Sequence, residues 1–149
     1  MLVTKQFEWC MGHRVLNHKS KCKNLHGHHY RAEVTLSGDL VSREGNSSEG
    51  MVIDFGDIKE VFMKHIHEIL DHGFMVWEKD QSLKDFFQKN PDQKYIEVPF
   101  TPTAENIAIW IFDQLEPKFI DTFGTNLKLE SVKIWETPLS MVIYQKHDR

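Results

Sequence analysis

Cys22-Lys23-Asn24-Leu25-His26-Gly27-His28-His29-Tyr30-Arg31-Ala32-Glu33-Val34-Thr35-Leu36-Ser37 is the stretch from which the fold is read. From about His26 to Ser37, His28, Tyr30, Ala32, Val34 and Leu36 alternate with His29, Arg31, Glu33 and Thr35. That is the period-two pattern of a strand with one face buried. On such a strand His26 and His28 share a face, with backbones about 7 Å apart, close enough to close on one metal ion. His29 faces the other way and reads as a surface or packing residue. The residues before the strand, 17 to 24, are polar and read as a loop. Further back, residues 3 to 9 have weak strand character that extends to about Arg14, with His13 near the end. A neighbouring strand ending at His13 supplies a third imidazole. Three neutral imidazoles with one open position form the ligand set of a catalytic zinc site.

The 149 residues suit one domain (1–149) with a real core. Hydrophobic residues make up 40% and charged residues 27%, as in an ordinary soluble globular protein. A net charge of −4 offers no electrostatic case for nucleic acid or an anionic membrane. The expectation is a cytoplasmic protein. The first residues lack an apolar core of signal-peptide length, and no run is long enough to span a bilayer. Cys10 and Cys22 are expected as reduced thiols.

Downstream, Leu40 and Val41 are read as continuing the ribbon, and Met51-Val52-Ile53 as a short strand end. Asp54 caps a helix whose apolar stripe is Ile58, Val61, Phe62, Ile66, Ile69 and Leu70. It stops at Asp71-His72-Gly73, where glycine supplies the stop. Residues 78 to 94 are charged and polar and read as a surface loop or short irregular helix. Thr103 caps a second helix, with Glu105 in its first turn and Ile107, Ala108, Ile111 and Leu115 buried; Glu116-Pro117 marks its end. Two strands follow, Leu127 to Glu136 and Ser140 to Gln145, joined by Thr137-Pro138-Leu139. The order ββααββ indicates an α+β domain with a four-stranded antiparallel sheet and two helices.

Several residues carry more than one reading. Cys22 is a fourth zinc ligand that closes the site, a buried inert thiol, or a thiolate activated by a cation and by Lys21 and Lys23. Cys10 reads as packing. Asp71-His72 is either a helix end that favours the dipole or a proton-transfer pair in which the carboxylate orients the ring. Glu136 is a solvated strand residue or an acceptor of paired N–H donors from a heterocycle. His18, His65, His67 and His147 have bland explanations as exposed or half-buried side chains.

Five separated pieces resemble, in order, the 6-pyruvoyl-tetrahydropterin synthase superfamily. They are His13-Arg14, Cys22-x-x-x-His26-Gly27-His28, Leu70-Asp71-His72, Pro102-Thr103-Ala104-Glu105-Asn106 and Trp135-Glu136-Thr137. The short gap between Cys22 and His26 is most like the 6-carboxytetrahydropterin synthase branch. The resemblance implies a tunnelling fold, with both helices on one face of the sheet, and a homo-oligomer (hexamer or tetramer) with active sites at subunit interfaces. It implies zinc on His13, His26 and His28, and Cys22 as general base with Asp71 and His72 as partner acid/base. Glu136 would anchor a pterin, and Thr103, Ala104 and Glu105 would complete its pocket. The reaction implied is a carbon–carbon lyase step. It converts 7,8-dihydroneopterin triphosphate to 6-carboxy-5,6,7,8-tetrahydropterin, releasing acetaldehyde and triphosphate, on the route to 7-deazaguanines such as queuosine. The alternatives are a 6-pyruvoyl-type or aldolase-like activity on a related dihydropterin, and a non-catalytic zinc-stabilised binding domain. The chain departs from the family pattern after His72, where it reads Gly73-Phe74-Met75-Val76, and in a longer 77–100 segment. Arg14, Lys19, Lys21 and Lys23 are triphosphate candidates on charge alone.

Overall fold

The computed structural model describes residues 1–146; the reading of His147 lies outside them. Strand β1 (Leu2–His13) and strand β2 (His26–Ser37) pair antiparallel in one unbroken register, from Leu2 opposite Ser37 to His13 opposite His26. Alternation then does the sorting. Phe7, Trp9 and Met11 of β1 and Tyr30, Ala32, Val34 and Leu36 of β2 are buried on one face. The opposite face carries polar pairs, such as Gln6 Nε2 donating to Glu33 Oε1 (2.8 Å) and Lys133 Nζ donating to Glu33 Oε2 (2.7 Å).

Two long helices cover the buried face. Helix α1 (residues 55–70) comprises Phe55–Phe62, a wide π turn at Met63–His67 and a last turn, Glu68–Leu70. Asp54 caps it by accepting from the Gly56 N–H (2.6 Å). Ile58, Phe62, Ile66 and Leu70 are fully buried and Val61 nearly so, while Ile69, 37% exposed, lies at the edge of the stripe. The second long helix spans Ala104–Phe123, with Thr103 accepting from the Asn106 N–H. It does not end at Pro117. Leu115 and Phe119, four residues apart and fully buried, hold one face of the helix on the core across the proline. Strands Lys128–Thr137 and Ser140–Gln145 complete that side of the sheet.

The sheet has six strands, not four, and is mixed rather than antiparallel. Its order is β4-β3-β1-β2-β5-β6, where β3 is Gly73–Trp77, β4 is Tyr95–Val98, and β5 and β6 are the last two strands. β3 runs parallel to β1 and β4 parallel to β3. Helix α2 (Gln81–Lys89) connects them, which makes the Ala104–Phe123 helix α3. The element order is therefore ββαβαβαββ. Strands of five and four residues are too short for periodicity to reveal. The α2 signal was present: Leu83 and Phe87 sit four residues apart, and both are buried with Val76. Two smaller expectations also fail. Met51-Val52-Ile53 forms no strand, although the Val41 N–H reaches the Met51 carbonyl (2.8 Å) across the loop. The residue with positive φ after α1 is His72 (57°), not Gly73. Gly73 instead sits in a tight place, where a Cβ would lie 2.8 Å from Ile96 Cδ1 and 3.1 Å from the Leu70 carbonyl oxygen.

One ion pair fastens this added β3-α2-β4 unit to β1. Arg14 donates from Nε to Asp80 Oδ2 (2.6 Å) and from Nη2 to Asp80 Oδ1 (2.5 Å). Asp80 also caps α2 through the Leu83 N–H (3.3 Å). Burial pushes the Asp80 carboxyl up, but the Arg14 bond, the Leu83 N–H and the Ser82 hydroxyl together hold it below its ordinary value. Replacing Asp80 with Ala removes a cap and strands a half-buried guanidinium, so we expect a loss of about 3 kcal/mol in chemical denaturation. A group with a depressed folded-state pKa stabilises above its unfolded value, so this contribution should fade as the pH falls below about 4 in the wild type. A loss under about 1 kcal/mol would mean the pair behaves as a solvent-screened surface bridge.

Candidate active site

Because His13 and His26 are directly opposed across β1 and β2, and His28 is one strand repeat further along, the register itself converges the three imidazoles. Ring centroids lie 4.6 Å (His13–His26), 5.2 Å (His13–His28) and 5.1 Å (His26–His28) apart. One ligand nitrogen from each lies within 4.8 Å of the others, so the trio could hold a metal ion. Gly27 between the two β2 histidines allows this closeness, since a Cβ there would come within 2.9 Å of the Met11 carbonyl oxygen.

Hydrogen bonds choose the ring atoms. The His13 Nδ1–H donates to the Pro102 carbonyl (2.7 Å), and the His26 Nδ1–H donates to the Asn24 carbonyl (2.8 Å). A carbonyl only accepts, so both rings keep their Nε2 lone pair for a ligand. Burial, foremost, lowers the His13 pKa to about 4, with His26 and His28 adding to the shift and the Pro102 bond opposing it. His13 is therefore neutral near neutral pH, as a metal ligand must be. The donor set, tautomers and charge state all suit a borderline divalent cation such as zinc.

Cys22 reaches the same region from the loop between β1 and β2. A short 3-10 turn, Lys21–Lys23, carries it, and the Val15 N–H donates to the Cys22 carbonyl (2.8 Å), folding the loop back on itself. His13, His26, Cys22, Thr103, Ala104, Glu105 and Glu136 line one cleft of about 340 Å³. Both cysteines are free thiols. Cys22 is half-buried and stands outside the clustered ligand atoms, which among the described residues are those of the three histidines. His18 also lines the cleft, which its polar loop setting gave no reason to expect.

Glu136 owes its place to alternation. Val132 and Ile134 are buried on the helix-covered face, and Glu136, two residues further on, shares that side with Tyr30. Trp135, opposite Arg31 of β2, lies on the polar face under the Arg31 guanidinium (4.4 Å to the ring centroid). The β5–β6 register shifts between Trp135 and Thr137, and Glu136 falls in the gap. Glu136 Oε1 accepts from the Tyr30 hydroxyl (3.3 Å) and lies 3.7 Å from His13 Nε2. Tyr30 is fully buried and was not singled out from sequence, since its alternation marks it only as core.

Asp71 and His72 lie elsewhere. The Cys10 backbone N–H donates to Asp71 Oδ1 (3.0 Å), and the His72 Nδ1–H donates to Asp71 Oδ2 (2.8 Å). The Cys10 N–H bond leads in holding the Asp71 carboxyl below its ordinary value; slight burial opposes it, and His72 adds to it. The His72 side chain is 81% exposed and borders a shallow depression with Cys10, Gly12 and His28, not the Cys22 cleft. The pair is formed as expected, but within one chain it does not face Cys22. Cys10 itself is exposed, which corrects its reading as a packing residue. Arg14, engaged with Asp80, is not a free phosphate ligand, whereas Lys19, Lys21 and Lys23 are exposed. His29, as expected, is exposed beside Glu8.

Residues 2–147 match the 6-pyruvoyl tetrahydropterin synthase family. A 6-carboxy-5,6,7,8-tetrahydropterin synthase of Haemophilus influenzae is 37% identical over 147 residues, covering 97% of this chain and 98% of its own length. Among solved structures, an uncharacterized protein of Wolinella succinogenes superposes with a TM-score of 0.80 at 26% identity, covering 98% of both chains. The 6-pyruvoyl tetrahydropterin synthase of Caenorhabditis elegans shares the fold, with a TM-score of 0.67 at 23% identity over 97% of this chain and 94% of its own. We expect His28→Ala to weaken divalent-ion affinity by at least about 100-fold, since even outer hydrogen-bond partners of a metal site are worth 10- to 100-fold. The far-UV circular dichroism spectrum should be unchanged, and His29→Ala should bind as the wild type does. Equal affinity in His28→Ala and the wild type would remove His28 from the ligand set.

Proposed function

Since the chain belongs to the 6-pyruvoyl tetrahydropterin synthase family, we propose that it is a 6-carboxytetrahydropterin synthase. It consumes 7,8-dihydroneopterin triphosphate and water and releases 6-carboxy-5,6,7,8-tetrahydropterin, acetaldehyde and triphosphate, in the cytoplasm, towards 7-deazaguanines such as queuosine. The observation that carries this reading is the single cleft shared by two of the clustered histidines, Cys22, Glu136 and the first turn of α3.

His13, His26 and His28 would hold zinc. When bound, zinc supplies a Lewis acid that polarises oxygens of the substrate side chain and makes neighbouring protons easier to remove. Glu136 accepts the ring N–H and amino donors of the pterin side by side, with Thr103, Ala104 and Glu105 forming the adjoining wall. Cys22, as thiolate, takes a proton from the polarised side chain; it lines the cleft from a loop whose Lys21 and Lys23 are exposed. Asp71 orients the His72 ring through its Nδ1–H, and His72 returns protons as the partner acid/base. Because His72 does not face Cys22 within one chain, a second copy would bring Asp71 and His72 to the cleft, making the working unit a homo-oligomer. Among the described residues, no helix is long and apolar enough to cross a membrane.

Zinc-loaded protein incubated with 7,8-dihydroneopterin triphosphate should give 6-carboxytetrahydropterin by mass, with acetaldehyde in solution. A 6-pyruvoyl product would move the chain to the other branch of the family. Cys22→Ala should keep its zinc and lose at least about 100-fold in turnover, the scale of one acid–base group. Loss of zinc and fold together in Cys22→Ala would instead indicate a closed, structural four-ligand site.

A further inference from the structure

The Tyr30 hydroxyl stands between the metal-ligand cluster and the carboxylate at the cleft. Its oxygen is 3.2 Å from His13 Nε2 and 3.3 Å from Glu136 Oε1. The separation from Glu136 exceeds the 2.7–2.8 Å typical of a hydroxyl donor to oxygen. The His13 ring has already spent its only proton on the Pro102 carbonyl, so Nε2 is an acceptor. Glu136 Oε1, as a carboxylate oxygen, is an acceptor as well. One O–H therefore faces two acceptors and is divided between them. A phenol keeps its proton through the working pH range, so Tyr30 is the donor to both.

We propose that Tyr30 is a positioning residue that couples metal loading to the readiness of the pterin anchor. A cation on the three histidines occupies the Nε2 lone pair of His13 and removes one of the two acceptors. The Tyr30 proton then goes wholly to Glu136 Oε1. The carboxylate, 26% exposed, is then held with its remaining lone pairs available to the cleft. A carboxylate fixed before the ligand arrives loses less conformational freedom on binding. The converse holds by linkage: a ligand that fixes Glu136 favours the metal-loaded state by the same factor. Direct electrostatics predict the opposite sign, because a cation near Glu136 weakens its pull on N–H donors. Tyr30 can perform this task because it does not move. It is fully buried and stacked on Trp9, with ring centroids 5.4 Å apart.

This inference rests on the reading of Glu136 as the pterin anchor, and the test separates the two. The probe is unsubstituted pterin, which has no side-chain hydroxyls to contact a metal. Its affinity is measured by fluorescence titration with apo and zinc-loaded wild type, Tyr30→Phe and Glu136→Ala proteins. Zinc should tighten pterin binding to the wild type roughly three- to tenfold, the share of one charge-assisted hydrogen bond made whole. In Tyr30→Phe, which keeps the ring and its stack, zinc should change the affinity by less than about twofold or weaken it. A second measurement needs no variant: saturating pterin should tighten zinc binding to the wild type by the same factor. A full zinc-induced gain in Tyr30→Phe, or no gain in the wild type, overturns the coupling while leaving the anchor in place. Binding that is insensitive to Glu136→Ala, or no pterin binding at all, overturns the anchor reading and the coupling with it.

Discussion

Everything at the candidate site depends on the pairing of β1 with β2. The two strands run antiparallel without a break from Leu2–Ser37 to His13–His26. That pairing buries Trp9, Met11 and Tyr30 on the helix-covered face and, at its open end, places His13 and His26 opposite one another. The core and the metal-capable cluster are consecutive rungs of one ladder. A slip of one residue would turn the histidines outward and expose the core at the same time. Folding and site formation are thus the same event on this edge of the molecule.

The remaining parts of the site come from distant segments, each delivered by a local device. The Pro102 carbonyl, just before the Thr103 cap of α3, fixes the His13 ring. Alternation along β5 puts Glu136 on the face of the buried Val132 and Ile134, beside Tyr30. The turn carrying Cys22 is held by a backbone bond to Val15. Burial keeps His13 uncharged, with its Nε2 lone pair open to the cluster. No device does more than aim one group, and the sheet supplies the common frame.

The parallel unit β3-α2-β4 stiffens the other side of the same frame. β3 pairs with Met11, Gly12 and His13, the last rungs of β1. The Arg14–Asp80 pair then locks α2 to the residue that follows His13. A unit far from His13 in sequence is therefore anchored next to it. The charge at Arg14, attractive as a phosphate contact when read alone, serves the scaffold.

What the sequence by itself determined is what depends on local period and spacing. The β2 strand was legible to the residue because alternation over twelve positions admits one reading. The His26-Gly27-His28 pair, the caps at Asp54 and Thr103, and the last hairpin were legible for the same local reasons. The first long helix was legible in position and length, the last in position only, because burial of Phe119 overrides the local penalty of Pro117. Only the tertiary structure decided the six-stranded, mixed sheet, since four- and five-residue strands draw their identity from their neighbours rather than from their own pattern. It alone separated Asp71-His72 from the Cys22 cleft, and it alone showed Tyr30 as the bridge between His13 and Glu136. Those facts depend on which distant atoms share a hydrogen-bonding shell, and a linear pattern carries no such distances.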